Sequence, residues 1–309
     1  MRDLSYPVNA LVSYHYFAKR NIKEYADGGL RLIGDSGAFS AANLGAPVDI
    51  DRFGEWATRW RGSLAWIASL DVIGDADATW TNYRHLRKKH GVEVVPTIHY
   101  GANPTLLDRY AADGVDMVGL GGMVGRKGQP KHLLRWCLSV FRYARDKHPE
   151  MRFHGWGVTH PLLIESLPWY SVDSSGFGQA YRYGRGSVYD PDTNTTQTFA
   201  VDGRDAYRLA GTLRKHYGAL PQDVAVSTRD TRAAHIRLAA LSYQLLEARL
   251  RIKFRVTAPA YGQNHAAVGG NIHGVMGTDH ATPRALVGPN IHAVDAAANH
   301  LKQLTKGAT

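Results

Sequence analysis

Cysteine is almost missing from this chain of 309 residues, and Cys137 is its one representative. A single thiol excludes a disulfide framework and any Cys-rich zinc site, and it suits a reducing compartment. No apolar run is long enough to span a bilayer, and no stretch reads as a signal peptide, so the expectation is a soluble, cytoplasmic protein with no membrane partner. The paired His-x-His ligands of many metal-dependent barrels are absent, and the stretch from about 256 holds no repeat or low-complexity array. Acidic side chains are in the minority, with 27 Asp and Glu against 37 Lys and Arg, a net charge of +10. That excess favours a polyanionic partner such as nucleic acid, through counterion release and steering.

What is present is material for a large core, 44% hydrophobic residues. The length suits one main domain with an appendage. Short apolar runs recur, each followed by glycine or a polar residue and then a helical pattern: 9–14, 30–35, 64–71, 92–101, 115–122, 153–157 and 170–176. Runs that are apolar throughout, alternating with helices, predict βα units in an α/β fold, a TIM-type (β/α)8 barrel. In "KHLLRWCLSVFRYARDKH", Leu134, Cys137, Leu138 and Phe141 share one helical face, which makes Cys137 a core residue. After residue 176 the rhythm changes. Residues 177–202 read as a loop feeding a β-hairpin, with helices at 203–217 and 229–252. The domain is therefore drawn as 1–255, and 256–309 as a Gly/Ala/His-rich extension without clear period. Its histidines 265, 273, 280, 292 and 300 lack tight ligand spacing and suit surface or packing roles.

Polar features stand where the strands end: Asp35, Asp71, His99 and Asp173, with the glycine run 119–125. In a parallel barrel such ends converge on one face, so residues distant in sequence share a pocket. Each also has a plainer reading. Asp35, before Ser36 and Gly37, suits an N-cap or Asx-turn, and Asp71 competes with Asp75 and Asp77 for a cap. His99 suits a satisfied core histidine, the glycines a tight turn, and Asp173 a buried cap.

Taken together and in order, these motifs resemble the tRNA-guanine transglycosylase superfamily, and more closely its phage-type branch of 7-deazaguanine DNA transglycosylases. The resemblance runs from about residue 9 to 176. "DSGAFS" (35–40) looks like the family's Asp-Ser-Gly-Gly-aromatic motif, with Ala38 for the second glycine and Phe39 as the aromatic. "SLDVIGD" is similar to the segment bearing a base-recognising Asp, here Asp71, and "PTIHYG" places His99 where the family has glutamine. "LGGMVG" resembles the Gly-Gly-Leu-Ala-Val-Gly loop, and "HGWGVTHPLLIESLPWYSVDSSG" the stretch ending at the nucleophile, which makes Asp173 that residue. The family's tRNA enzymes carry a zinc site of three cysteines and a histidine, which this chain cannot build. In its place stands "YRYGRGSVY", whose Tyr181, Arg182, Tyr183 and Arg185 suit base stacking and phosphate contact. Ordinary surface arginines on an exposed hairpin are the plainer reading.

The resemblance implies a base-exchange transglycosylase (a pentosyltransferase) that needs no cofactor and no metal. Its partners would be DNA, single-stranded or locally opened, and a free 7-deazaguanine base, in the host cytoplasm if the chain is phage-encoded. In the implied mechanism Asp173 attacks C1′ and expels guanine, and Asp35 serves as acid and base. Ser36, Asp71, His99, Gly121 and Gly122 would bind the base edge, while Phe39 and Met123 would sandwich its ring. Three alternatives stay open. They are a transglycosylase acting on tRNA, a metal-dependent hydrolase using His99, His154, Asp35 and Asp173, and a non-catalytic DNA-binding barrel.

Overall fold

The computed structural model describes residues 1–4, 8–39, 47–124, 129–174, 178–226, 228, 231–254 and, as backbone, 286–289. Seven apolar runs form parallel strands: β1 (Val8–Ser13), β2 (Leu30–Asp35), β3 (Leu64–Ile67), β4 (Thr97–His99), β5 (Met117–Gly121), β6 (Arg152–Gly155) and β7 (Ser171–Ser174). They are interleaved with α1 (Tyr14–Phe17), α2 (Lys23–Asp27), α3 (Ile50–Trp60), α4 (Ala76–His90), α5 (Leu106–Ala112), α6 (Pro130–Lys147) and α7 (Pro161–Ser166). Hydrogen bonding joins β1-β2-β3 in one sheet and β4-β5-β6-β7 in another, and a single parallel bridge, Ala68 to Val95, links the two. β10 (Leu286–Pro289) extends the second sheet, pairing in parallel with β7, and its backbone also lies beside β1. The result is an α/β structure of parallel sheets and helices in which no sheet closes by hydrogen bonds among the described residues.

β1 is buried at every position, as a parallel strand covered on both faces must be. The core beneath the helices runs from Leu11 and Val12 through Ile33, Ile98, Val118 and Leu120 to Val172. α6 meets it with Leu133, Cys137, Val140, Phe141 and Ala144, while Leu134 and Leu138 lie only partly buried at the margin. The seam is thus turned toward the 133/140 side of the face drawn from sequence, because 133, 137, 140 and 144 keep the tighter helical spacing.

Helix starts account for two aspartates. Asp49 Oδ1 accepts from the amides of Asp51 and Arg52 at the head of α3, and Asp75 Oδ1 accepts from those of Asp77 and Ala78 at the head of α4. Asp71 is thereby released from capping.

Beyond β7 the chain forms α8 (Gln179–Tyr183), then the antiparallel hairpin of β8 (Arg185–Asp190) and β9 (Thr195–Ala200). α9 (Asp205–Arg208) and a short run of helical turns to Tyr217 follow, and α10 (Arg232–Lys253) packs across β8. Val188, Phe199, Leu213, Tyr217 and Leu238 form a second small core there. Tyr181, Arg182 and Tyr183, read from sequence as part of the hairpin, sit instead on α8, which ends at Gly184 in the left-handed region (φ 65°). No helix among the described residues is long and apolar enough to cross a membrane.

Candidate active site

The strand-end aspartates do come together. Asp35 ends β2, Asp71 follows β3, and Asp173 lies within β7. Asp71 and Asp173 stand near enough to Asp35 to act on its ionisation: burial first, then their two negative charges, push its carboxyl up to about 7. The Gly37 amide and the Ser13 hydroxyl pull in the opposite direction without prevailing. Asp35 Oδ2 accepts from Gly37 N at 3.0 Å, so the Asx-turn role read from sequence exists alongside the electrostatic one. Gly37 holds φ at 78°, and a Cβ there would meet Ser13 Oγ at 2.5 Å and His15 Cβ at 2.6 Å, so the turn cannot take another residue without shifting. Ser36 is buried, its Oγ accepting from Ala38 N at 3.4 Å.

Asp173 is 9% exposed. Its Oδ1 accepts from the Gly157 amide at 2.5 Å, in the loop after β6. The His154 Nε2 lies 3.6 Å from the same oxygen, and His154 Nδ1 is 2.7 Å from Ser171 Oγ. His154 is completely enclosed, edge-on to the rings of Trp66 and Trp156. Next in the strand, Ser174 Oγ accepts from Tyr243 OH at 2.9 Å, tying α10 to the end of β7.

His99 is not an isolated core histidine, since its Nε2 is 2.7 Å from Asp71 Oδ2. That bond orients the carboxylate and leaves Asp71 Oδ1 for another donor. Gly121 ends β5 opposite His99 in the register, and Gly122 turns the chain with φ 73°. The two groups expected to sandwich a ring are placed differently. Phe39 is 55% exposed, whereas Met123 is buried with its sulfur 3.6 Å from Cys137 Sγ. The apolar surface of α6 draws the Met123 side chain inward. In α8, Arg182 folds back over Gly178, where a Cβ would collide with its guanidinium, so Tyr183 and Arg185 are left facing solvent. The Tyr181 side chain, Ser40, Gly125, Ser175, Gly176 and the five tail histidines lie outside the described residues.

A cavity of about 540 Å3 adjoins the site, lined by Gly157 and Ser174 together with Ser187, His235 and Tyr243 of the appendage. None of the described residues lining it is Asp, Glu, Lys or Arg. Among the described residues, the groups whose ligand atoms gather as a cation needs are Asp51, His85, His90 and Asp190, Asp192, His216. Neither contains His99, His154, Asp35 or Asp173.

The contacts of Gly157 and His154 with Asp173 lie beyond the expectations from sequence, in which His154 figures only as a metal ligand. The signal for both was "FHGWG", whose histidine and second glycine flank a strand end adjacent to β7. Compared with family models, curated proteins and solved structures, the chain matches none of them.

Proposed function

We propose that this chain is a base-exchange transglycosylase that replaces guanine in DNA by a 7-deazaguanine derivative, with its strands arranged as a TIM-type barrel. The observation that carries the reading is the pair of unlike carboxyls. Asp35 is raised to about 7 by burial and by Asp71 and Asp173, while Asp173 has one oxygen held by the Gly157 amide. Double displacement at a sugar carbon needs one carboxyl that attacks and a second that carries the proton. For the barrel, the Ala68 to Val95 bridge and the position of β10 between β7 and β1 bring the two sheets toward a ring.

In the first step the free Asp173 oxygen attacks C1′ and the C1′–N9 bond breaks. The electron pair goes to N9, and neutral Asp35 delivers the proton the departing guanine requires. In the second step Asp35, now ionised, takes the N9 proton of the incoming base. N9 attacks C1′, the ester C–O bond breaks, and Asp173 returns to a carboxylate with the original stereochemistry restored. Asp71, oriented by His99, accepts from the N1 and 2-amino groups of a guanine-like edge, and Phe39 offers an exposed face for stacking. The net charge of +10 draws the strand in, with Tyr183 and Arg185 exposed beside the site's appendage. The reacting nucleotide must leave its stack, which costs a few kcal/mol and is cheapest in opened DNA.

The test is incubation with DNA or tRNA and a panel of labelled 7-deazaguanines, followed by nucleoside analysis and denaturing gels. The expected result is base exchange in DNA and a denaturation-stable protein–DNA adduct that Asp173→Asn abolishes. Exchange in tRNA alone would overturn the choice of substrate, and neither adduct nor exchange would overturn the enzyme.

A further inference from the structure

Away from the strand ends, α3 and α4 meet at three side chains that no part of the proposed chemistry uses. His85 Nε2 and His90 Nε2, both from α4, lie 2.6 Å and 2.9 Å from one oxygen, Oδ1, of Asp51 in the first turn of α3. All three donor atoms fall within 4.8 Å of one another. We propose that Asp51, His85 and His90 form a His2Asp site for a zinc-type divalent cation, which would clamp α3 to α4 and keep a fourth position open to water.

Four observations support the site. Two imidazole nitrogens and one carboxylate oxygen are one of the donor sets that open zinc sites use, and both histidines present Nε2. A tetrahedral ion with bonds of about 2.0 Å needs donors about 3.3 Å apart. The gaps of 2.6 Å and 2.9 Å to Asp51 Oδ1 would widen by about 0.7 Å and about 0.4 Å to reach that spacing. Asp51 reaches both rings through a single oxygen, Oδ1, so the three candidate donors converge on one point. Lys89 occupies the other oxygen, Oδ2, at 2.7 Å, and so does not stand in the ion's place.

The fourth observation is Gly54, in the interior of α3. A Cβ there would meet the His90 ring at 2.4 Å, so this helix carries a glycine where the ring must lie against it. Glycine in a helix interior is less favourable than alanine, so its presence calls for a packing reason. The other cluster is different in kind. Both oxygens of Asp190 are already used, by the Asp192 amide and by Gln197 and Thr212, while Asp192 is held by Lys215 and His216.

Binding of Zn2+ to the chelator-stripped full chain is followed by calorimetry, and of Co2+ by its visible absorption. Because the chain has 15 histidines, the difference between variants carries the test. The wild type is expected to take up one equivalent, with a tetrahedral cobalt spectrum, that His85→Gln and Asp51→Asn each weaken by more than about 100-fold, beyond what loss of an outer-shell partner costs. His216→Gln is expected to keep that equivalent. Unchanged stoichiometry and affinity in both His85→Gln and Asp51→Asn, each shown folded by circular dichroism, would overturn the site, as would a wild type that binds no Zn2+.

Discussion

At the scale of single residues, Asp35 has the most to say, because its charge state is set by two aspartates that are far from it in sequence. An acid whose folded pKa is raised from 3.8 to about 7 contributes stability that is complete below about pH 4 and is lost as pH climbs to about 7. Asp35→Asn should therefore be more stable than the wild type at pH 8, by about 1–3 kcal/mol, with the advantage fading toward pH 4. Urea unfolding at the two pH values checks this, and equal stability throughout would show that Asp35 ionises normally. The same titration divides the two proposed half-reactions. Adduct formation requires the neutral acid, so its single-turnover rate should fall as pH rises through about 7. Release of the adduct to an incoming base requires the anion and should rise over the same interval. Rapid-quench measurement of each half alone separates the two trends.

At the scale of elements, the site depends on how strands stop. β2 ends in a turn that needs Gly37 at φ 78° packed against Ser13 and His15, the residues where β1 gives way to α1. Gly37→Ala should cost at least about 1–3 kcal/mol in chemical denaturation. It should also lower exchange more than DNA binding, because the turn that moves is the one bonded to Asp35. A variant with wild-type stability and exchange would remove the turn from the argument. The helices show a complementary economy. Asp49 and Asp75 cap α3 and α4, which leaves Asp71 to pair with His99.

At the scale of the whole molecule, β10 is the element with most leverage, since it pairs with the strand that bears Asp173 and lies beside β1. A chain ending at residue 254 would leave one edge of β7 without its ladder, and unpaired edges invite slippage and association. At about 2–4 °C per kcal/mol for a chain of this size, the melting temperature should fall by at least about 5 °C. Adduct formation should be lost with it. Calorimetry together with the adduct assay tests this, and a truncated chain with unaltered melting and full activity would show that β10 is dispensable.

The seven strands were legible in sequence because parallel strands covered on both faces read as unbroken apolar runs, a local property. The burial of Cys137 was legible for a similar reason, as helical spacing is local too. The strand-end positions of Asp35, Asp71, His99 and Asp173 followed from the same pattern. Tertiary structure decided what depends on distance through space. It turned α6 by one seam, used Asp75 rather than Asp71 as a cap, buried Met123 against Cys137, and put His154 and Gly157 against Asp173. It also made Asp35 an acid near neutrality. Periodicity records which face of an element is apolar, but a carboxylate's proton affinity is set by burial and by charges from other strands, and those exist only once the chain has folded.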